Sequence, residues 1–100
     1  MRDQEADVAV INMVLHHLPS PDASILEAGR VLKKGGSLII VDLEKHQNEE
    51  MRQKLGHRWL GFTRKNIERW LLAGGFAPEE YVQYDAMDGL KIDLFVSVKQ

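Results

Sequence analysis

The sequence predicts an α/β fold with a mixed sheet of four strands and about three helices. Three observations carry this prediction. Short apolar blocks alternate with helical stripes in the first half of the chain, glycine pairs stand where two helices are expected to end, and alternating apolar residues fill the C-terminal segment. A strand–helix–strand unit implies parallel pairing through a right-handed crossover. Two closing strands joined by a short turn form an antiparallel hairpin.

The first strand is expected over the apolar block at residues 8–11, which polar residues flank on both sides. A continuous block of small and β-branched residues is typical of a strand buried on both faces of a parallel sheet. Ser20 is predicted to be the N-cap of the next helix, with Pro21 as its first residue. We expect this helix to include Lys33 and Lys34, because the glycine pair at 35–36 is typical of a helix end.

The second half of the chain is expected to contain a strand, two helices and a closing hairpin. The second strand spans residues 38–41, and a helix is expected from about residue 51 to residue 58. Thr63 is predicted to cap the next helix, which the glycine pair at 74–75 ends. Strands around residues 81–84 and 90–98 then form a hairpin whose turn contains Asp88 and Gly89.

Composition excludes several classes of function. One hundred residues make one small domain, and the absence of cysteine removes disulfides, thiolate metal ligands and a cysteine nucleophile. It also fits a reducing, cytoplasmic location. The net charge of −2 provides no attraction to nucleic acid, and no apolar run is long enough to span a membrane.

Three motifs occur in order along the chain: DVAVINMVLHHL at 7–18, AGRVLKKGGSL at 28–38 and LAGGF at 72–76. Together they resemble the second half of a class I S-adenosylmethionine-dependent methyltransferase, a Rossmann-like domain. The first motif is similar to the fourth strand of that family and the loop that leaves it. The others are similar to the junction into the fifth strand and the element before the sixth. Lys34 stands where the family usually has proline.

A narrower resemblance lies in VDLEKH at 41–46 and MRQKLGHRWLGF at 51–62. These segments are similar to the methyltransferase part of two-part ArsR-type regulators, in which a winged-helix repressor precedes the methyltransferase-like domain. This resemblance implies a link to transcription regulation.

The sequence departs from the family in one large respect. The full domain needs a glycine-rich loop after its first strand and an acidic residue at the end of its second, but the eight glycines of this chain include no G-x-G. The chain therefore matches family strands four to seven as a partial, truncated domain. We expect S-adenosylmethionine to bind only if a partner or the missing half completes the pocket, so the chain alone is expected to be inactive. A fragment from an internal start without a selected function is the further alternative.

The resemblance places Asn12, Met13 and His17 against the cofactor. Asn12 follows the first strand directly, at the end of a parallel strand where ligands of such sheets bind. The alternative for Asn12 is a turn cap, and the alternative for His16 and His17 is packing at a helix start. No residue is assigned as a general base, and the methyl acceptor stays unknown.

Asp42, Trp59 and Phe62 are the candidate substrate-binding residues. Asp42 ends the second strand and so faces the ligand side, although it could equally cap a turn. The two aromatic residues could cover an acceptor pocket or fill the core. Five further residues carry oxygen or nitrogen ligands, but their spacing matches no metal-binding arrangement and fits an exposed helix face: Glu44, His46, Glu49, Glu50 and His57.

A second class of function is a non-catalytic assembly module. Without the family's first strand, the edge of the strand at residues 8–11 would carry unpaired backbone groups, which natural proteins rarely leave open. We therefore expect a homo-oligomer, for example a homodimer, or a complementing chain at this edge, with no membrane and no direct nucleic-acid contact.

Overall fold

The computed structural model describes residues 4–13, 15, 18–44, 62–86 and 89–100, and these residues form four strands and two helices. Their bounds are β1 Ala6–Asn12, α1 Pro21–Val31, β2 Leu32–Leu43, α2 Arg64–Ala73, β3 Phe76–Asp85 and β4 Lys91–Lys99. The predicted α/β class and four-stranded mixed sheet are confirmed. The helix expected at about 51–58 lies outside the described residues. No helix within the described ranges is long and apolar enough to cross a membrane.

The sheet has the strand order β1-β2-β4-β3. β1 and β2 are parallel, with α1 as their crossover, and β4 is antiparallel to both β2 and β3. The hairpin is closed by the Ala86 N–H, which donates to the Leu90 carbonyl at 2.8 Å. Gly89 adopts a positive φ of 72° in this turn, as hairpin turns require, whereas Asp88 lies outside the described residues.

The two faces of the sheet differ. One face, which we call the helix-covered face, packs Leu38 and Ile40 of β2 and Phe95 of β4 against α1 and α2 in a single core. Side chains alternate between the faces along each strand, so the intervening residues point to the opposite, open face. No described helix packs on the open face, where Val8 and Val10 are 55% and 59% exposed.

The prediction that β1 is buried on both faces is therefore wrong. β1 is the outer strand of the described sheet and pairs with β2. Ala9 and Ile11, on the helix-covered face, are partly buried against the core. The apolar block identified a strand correctly, but its composition did not reveal that Val8 and Val10 are more than half exposed.

The end of α1 also differs from the prediction. The helix ends at Val31, and Leu32 is already extended and paired with Ala6. The next pair is Val8 with Ser37, so residues 33–36 bulge out of the ladder. A Cβ on Gly36 would lie 2.8 Å from the Lys33 carbonyl oxygen. The glycine pair thus permits a close backbone bulge inside β2, rather than ending the helix.

Both predicted N-cap positions are confirmed, but only one of the two residues makes a side-chain capping hydrogen bond. Ser20 occupies the N-cap position of α1, but its side chain makes no capping hydrogen bond, and its carbonyl accepts from Ala23 N–H. Thr63 caps α2 as predicted, because its Oγ1 accepts from Asn66 N–H at 3.2 Å. After α2, Gly75 has the positive φ of 84° that the glycine pair predicts.

Candidate functional site

The parallel strands β1 and β2 end at the same edge of the sheet. Asn12 is the last residue of β1 and pairs with Val41, one position before Asp42 near the end of β2. Ligands of open α/β sheets bind outside the carboxyl ends of their parallel strands. This edge is therefore the candidate site. Asn12 and Asp42, two of the residues singled out from the sequence, both lie at it.

The chain turns sharply where it leaves β1. Asn12 is exposed, and Met13 donates its N–H to the Val41 carbonyl at 2.7 Å with a φ of +56°. A left-handed conformation costs a residue with a Cβ about 1–2 kcal/mol. The turn delivers Leu15 fully buried into the core. The left-handed turn at the end of β1 is thus followed closely by Leu15, which is anchored in the core. His17 lies outside the described residues.

Asp42 lies on the helix-covered face and is only 3% exposed. Its Oδ1 accepts the backbone N–H of Leu43, the next residue of β2, at 2.7 Å. Asn12 pairs with Val41 and therefore points to the open face. The two candidates share one edge but lie on opposite faces of the sheet.

Phe62 is buried directly beyond the end of β2. Its N–H donates to the Leu43 carbonyl at 3.0 Å, and it forms an isolated parallel bridge with Glu44. Its ring meets that of Trp70 edge-to-face at 5.5 Å between centroids, a favourable aromatic geometry. Phe62 thus belongs to the core below the site, and Trp70 packs against that core as predicted. Trp59 lies outside the described residues.

The structure adds a carboxylate that the sequence did not reveal. Asp93 of β4 is directly opposite Asp42 in the antiparallel ladder and is also 3% exposed. Tyr81 Oη donates to Asp93 Oδ1 at 2.8 Å, and Gln83 Nε2 donates to the same oxygen at 2.9 Å. We call Tyr81, Gln83 and Asp93 the Tyr81 network. In the sequence, the only indication that this side of β4 is buried was Phe95, a large apolar residue on the same side of β4 as Asp93.

Two side chains pack against the ring of Tyr81. The Arg64 guanidinium lies 4.0 Å from the centre of its ring, and the Phe95 ring lies 5.1 Å away. Burial raises the pKa of Tyr81 to about 12, helped by the hydrogen bond to Asp93 and by the charges of Asp93 and Glu44, while Arg64 opposes the rise. The phenol therefore stays protonated at neutral pH and acts as a hydrogen-bond donor.

The residues present fit part of a bound S-adenosylmethionine. A nucleotide needs a glycine-rich turn for close backbone approach and a carboxylate for the ribose. The glycine pairs of this chain instead follow α2 or form the bulge in β2. At the carboxyl-end edge, Asn12 is exposed and Met13 is half-buried, so only Asn12 presents a polar side chain that a cofactor could meet there. Within the described ranges, no three His, Asp or Glu residues are grouped to hold a metal ion.

Comparison with known proteins identifies the fold. Residues 1–40 match the family described as "Methyltransferase domain", and no curated protein matches the sequence. A candidate methyltransferase from Bacillus halodurans superposes with a TM-score of 0.84 at 19% identity, over 99% of this chain and 66% of its own. The 1,6-didemethyltoxoflavin-N1-methyltransferase of Burkholderia thailandensis, solved with S-adenosylhomocysteine, gives 0.79 at 18%, over 100% and 46%.

A third similar structure is a candidate methyltransferase of Haloferax volcanii, solved in complex with the Trm112 methyltransferase activator. It gives a TM-score of 0.80 at 14% identity, over 98% of this chain and 56% of its own. The chain thus spans between about half and two thirds of these structures. At these identities the likeness shows a Rossmann-like methyltransferase fold.

Proposed function

We propose that this chain is the C-terminal part of a class I S-adenosylmethionine-dependent methyltransferase domain. The observation that carries the proposal is the parallel pair β1 and β2, whose carboxyl ends place Asn12 and Asp42 at one edge. It occurs in a chain whose first forty residues match the methyltransferase family. The matching fold of a methyltransferase solved with S-adenosylhomocysteine supports the same proposal.

The bound cofactor supplies an electrophilic methyl group on its sulfonium, and the protein contributes chiefly by positioning donor and acceptor. In this proposal, Asn12, Met13 and His17 contact the cofactor from the end of β1. Asp42, Trp59 and Phe62 form the acceptor side. Since Asp42 and Phe62 are buried, they serve as its floor.

We further propose that the isolated chain is inactive and binds the cofactor weakly, because the sequence has no glycine-rich turn for the nucleotide. Calorimetric titration with S-adenosylmethionine and S-adenosylhomocysteine tests this directly. We expect dissociation constants weaker than about 1 mM, or about −4 kcal/mol, for the chain alone. Tighter binding by a monomer would refute the proposal that the pocket is incomplete.

The family proposal is tested by adding a polypeptide that carries the first three strands of a related domain. We expect the mixture to bind S-adenosylhomocysteine and Asn12→Ala to weaken that binding. Leu72→Ala is the control, because Leu72 is exposed and lies near the C-terminal end of α2. If no complementing polypeptide restores binding, the methyltransferase proposal is contradicted.

A second candidate function, the assembly module, is favoured by the free side of β1. β1 is the outer strand of the described sheet, and Val8 and Val10 are more than half exposed. A groove of about 430 Å³ runs beside it, lined in part by Ile11, Leu18 and Ala28. We propose that a second copy or a complementing chain adds a strand here, because exposed apolar edges tend to pair.

Sedimentation equilibrium distinguishes this candidate from cofactor binding. Wild-type chain is expected to associate, and Val10→Lys is expected to yield monomers because the charge opposes edge pairing. Leu72→Lys is the control, since Leu72 is similarly exposed but lies on α2. A wild-type monomer that also fails to bind added strands would exclude the assembly module.

The narrower resemblance leads to a proposal about context. We propose that the domain works in the cytoplasm beside an ArsR-type winged-helix domain, which makes the DNA contacts. The net charge of −2 supports this division. An electrophoretic mobility shift assay with this chain alone at physiological salt should show no DNA binding, and a shifted band would contradict the proposal.

A further inference from the structure

The Tyr81 network stands at the end of β2 beside the proposed acceptor side. Asp42 and Asp93 are directly opposite in adjacent antiparallel strands, so their side chains point to the same face. Directly opposite residues have Cβ atoms about 4.5–5.5 Å apart. Both carboxyl groups are almost fully buried. Two buried carboxyl groups on directly opposite residues share one small space, so the direction of one constrains the direction of the other.

The direction of the Asp93 carboxyl group is set by two hydrogen bonds from β3. Tyr81 and Gln83 both donate to Asp93 Oδ1, at 2.8 and 2.9 Å, and Gln83 Nε2 also lies 3.2 Å from Tyr81 Oη. Both donors come from β3, the strand on the far side of β4 from Asp42. They therefore draw the Asp93 carboxylate away from Asp42.

Packing and strand pairing hold the two donors, Tyr81 and Gln83, in place. Tyr81 is fixed by the Arg64 guanidinium and the Phe95 ring, and its raised pKa keeps the donating proton in place. Gln83 is directly opposite Asp93 in the ladder, so its side-chain amide reaches the carboxyl group directly across the strand pair.

We propose that Tyr81 and Gln83 are positioning residues, which hold Asp93 turned toward β3 and thereby fix the Asp42 carboxylate in the direction that accepts the Leu43 N–H. The contact between Asp42 Oδ1 and Leu43 N–H at 2.7 Å is the geometric result. This inference rests on the proposed function for its significance, since Asp42 belongs to the proposed acceptor side. Its test requires neither cofactor nor acceptor.

The first experiment uses the Leu43 amide resonance as a reporter of the Asp42 direction. In ¹H–¹⁵N spectra of the full chain, Tyr81→Phe is expected to shift the Leu43 amide, because Asp93 turns toward Asp42 once one of its two donors is lost. Tyr84→Phe removes the same hydroxyl from an exposed residue of the same strand and is expected to leave the Leu43 amide unchanged. An unchanged Leu43 amide in Tyr81→Phe overturns the proposal.

A thermodynamic cycle separates positioning from local packing. Tyr81→Phe is expected to raise the unfolding equilibrium constant at least tenfold. In an Asp42→Asn background the same substitution is expected to have an effect at least about twofold smaller, because the second carboxyl group is gone. Equal effects in the two backgrounds would mean that Tyr81 acts only on its own neighbours, which overturns the proposal.

A titration covers the case in which these variants do not fold. Tyr84→Phe leaves Tyr81 as the only tyrosine, so the phenolate absorbance reports its pKa alone. We expect a midpoint at about 12 and a lower midpoint when Asp93→Asn is added. A midpoint at the ordinary value of 10 with Asp93 present would remove the hydrogen bond on which the proposal rests. If the cofactor titrations fail while these measurements succeed, only the proposed function is lost.

Discussion

Met13 offers a test of the backbone geometry at the candidate site. The residue follows β1 with a φ of +56°, in the left-handed region, and its half-buried side chain complicates any comparison with the wild type. Replacing it by alanine and by glycine removes the side chain in both cases. The two variants then differ mainly in whether a Cβ is forced into this conformation.

The expected difference follows from two opposing effects. A Cβ in the left-handed region costs about 1–2 kcal/mol, which Met13→Gly avoids and Met13→Ala does not. Glycine also loses more backbone freedom on folding, which disfavours it by about 0.5–1 kcal/mol. Met13→Gly should therefore be more stable than Met13→Ala by about 0.5–1 kcal/mol. Ordinarily the order is reversed.

Urea unfolding followed by circular dichroism provides the measurement. With a slope of about 1–3 kcal/mol per molar urea, the midpoints should differ by roughly half a molar. Lys65, exposed in α2, is the control position, where alanine should exceed glycine by about 1 kcal/mol. The same order at both positions would show that Met13 is not left-handed and would refute the description of the strand end.

Three further predictions concern the bulge, a cap and alkaline stability. Gly36→Ala should destabilise the fold by about 1–3 kcal/mol in urea, because its Cβ would lie 2.8 Å from the Lys33 carbonyl oxygen and 3.0 Å from that of Asp7; an unchanged midpoint would contradict the bulge. Thr63→Ala should lower the unfolding free energy by about 1 kcal/mol, while Thr63→Ser should retain most of it. Because folding raises the Tyr81 pKa from 10 to about 12, the stability it contributes is complete below pH 10 and lost as pH rises through about 12. Unfolding measured across this range should show that loss in the wild type and not in Tyr81→Phe.

The fold could be predicted from the sequence wherever a local pattern has one structural meaning. The alternation at residues 90–98 indicated β4, Thr63 indicated the start of α2, and the strand–helix–strand order indicated the parallel pair. The glycine pair at 35–36 has two meanings, since a helix end and a bulge both use positive φ. Only the pairing of Leu32 with Ala6, some 26 residues away, decides between them.

The candidate site was predictable to the same extent. Strand order alone brings Asn12 and Asp42 to one edge, because parallel strands end together. Which face each side chain takes depends on the register, and the register depends on the whole sheet. Asp93 was missed because an alternating pattern of apolar and polar residues identifies a strand but does not show which of its two faces the helices cover. The Tyr81 network forms only when β3 and β4 are paired.

The position of β4 bears on how the protein is made. β4 follows the other three strands in the chain, yet it lies inside the sheet between β2 and β3. Its residues pair with β2 partners roughly 50–60 positions earlier, and contacts so distant in sequence form slowly. During synthesis, β1, α1 and β2 leave the ribosome well before the strand that completes the sheet. Until β4 emerges, the second edge of β2 is exposed, so nascent chains are expected to need chaperone protection at that stage.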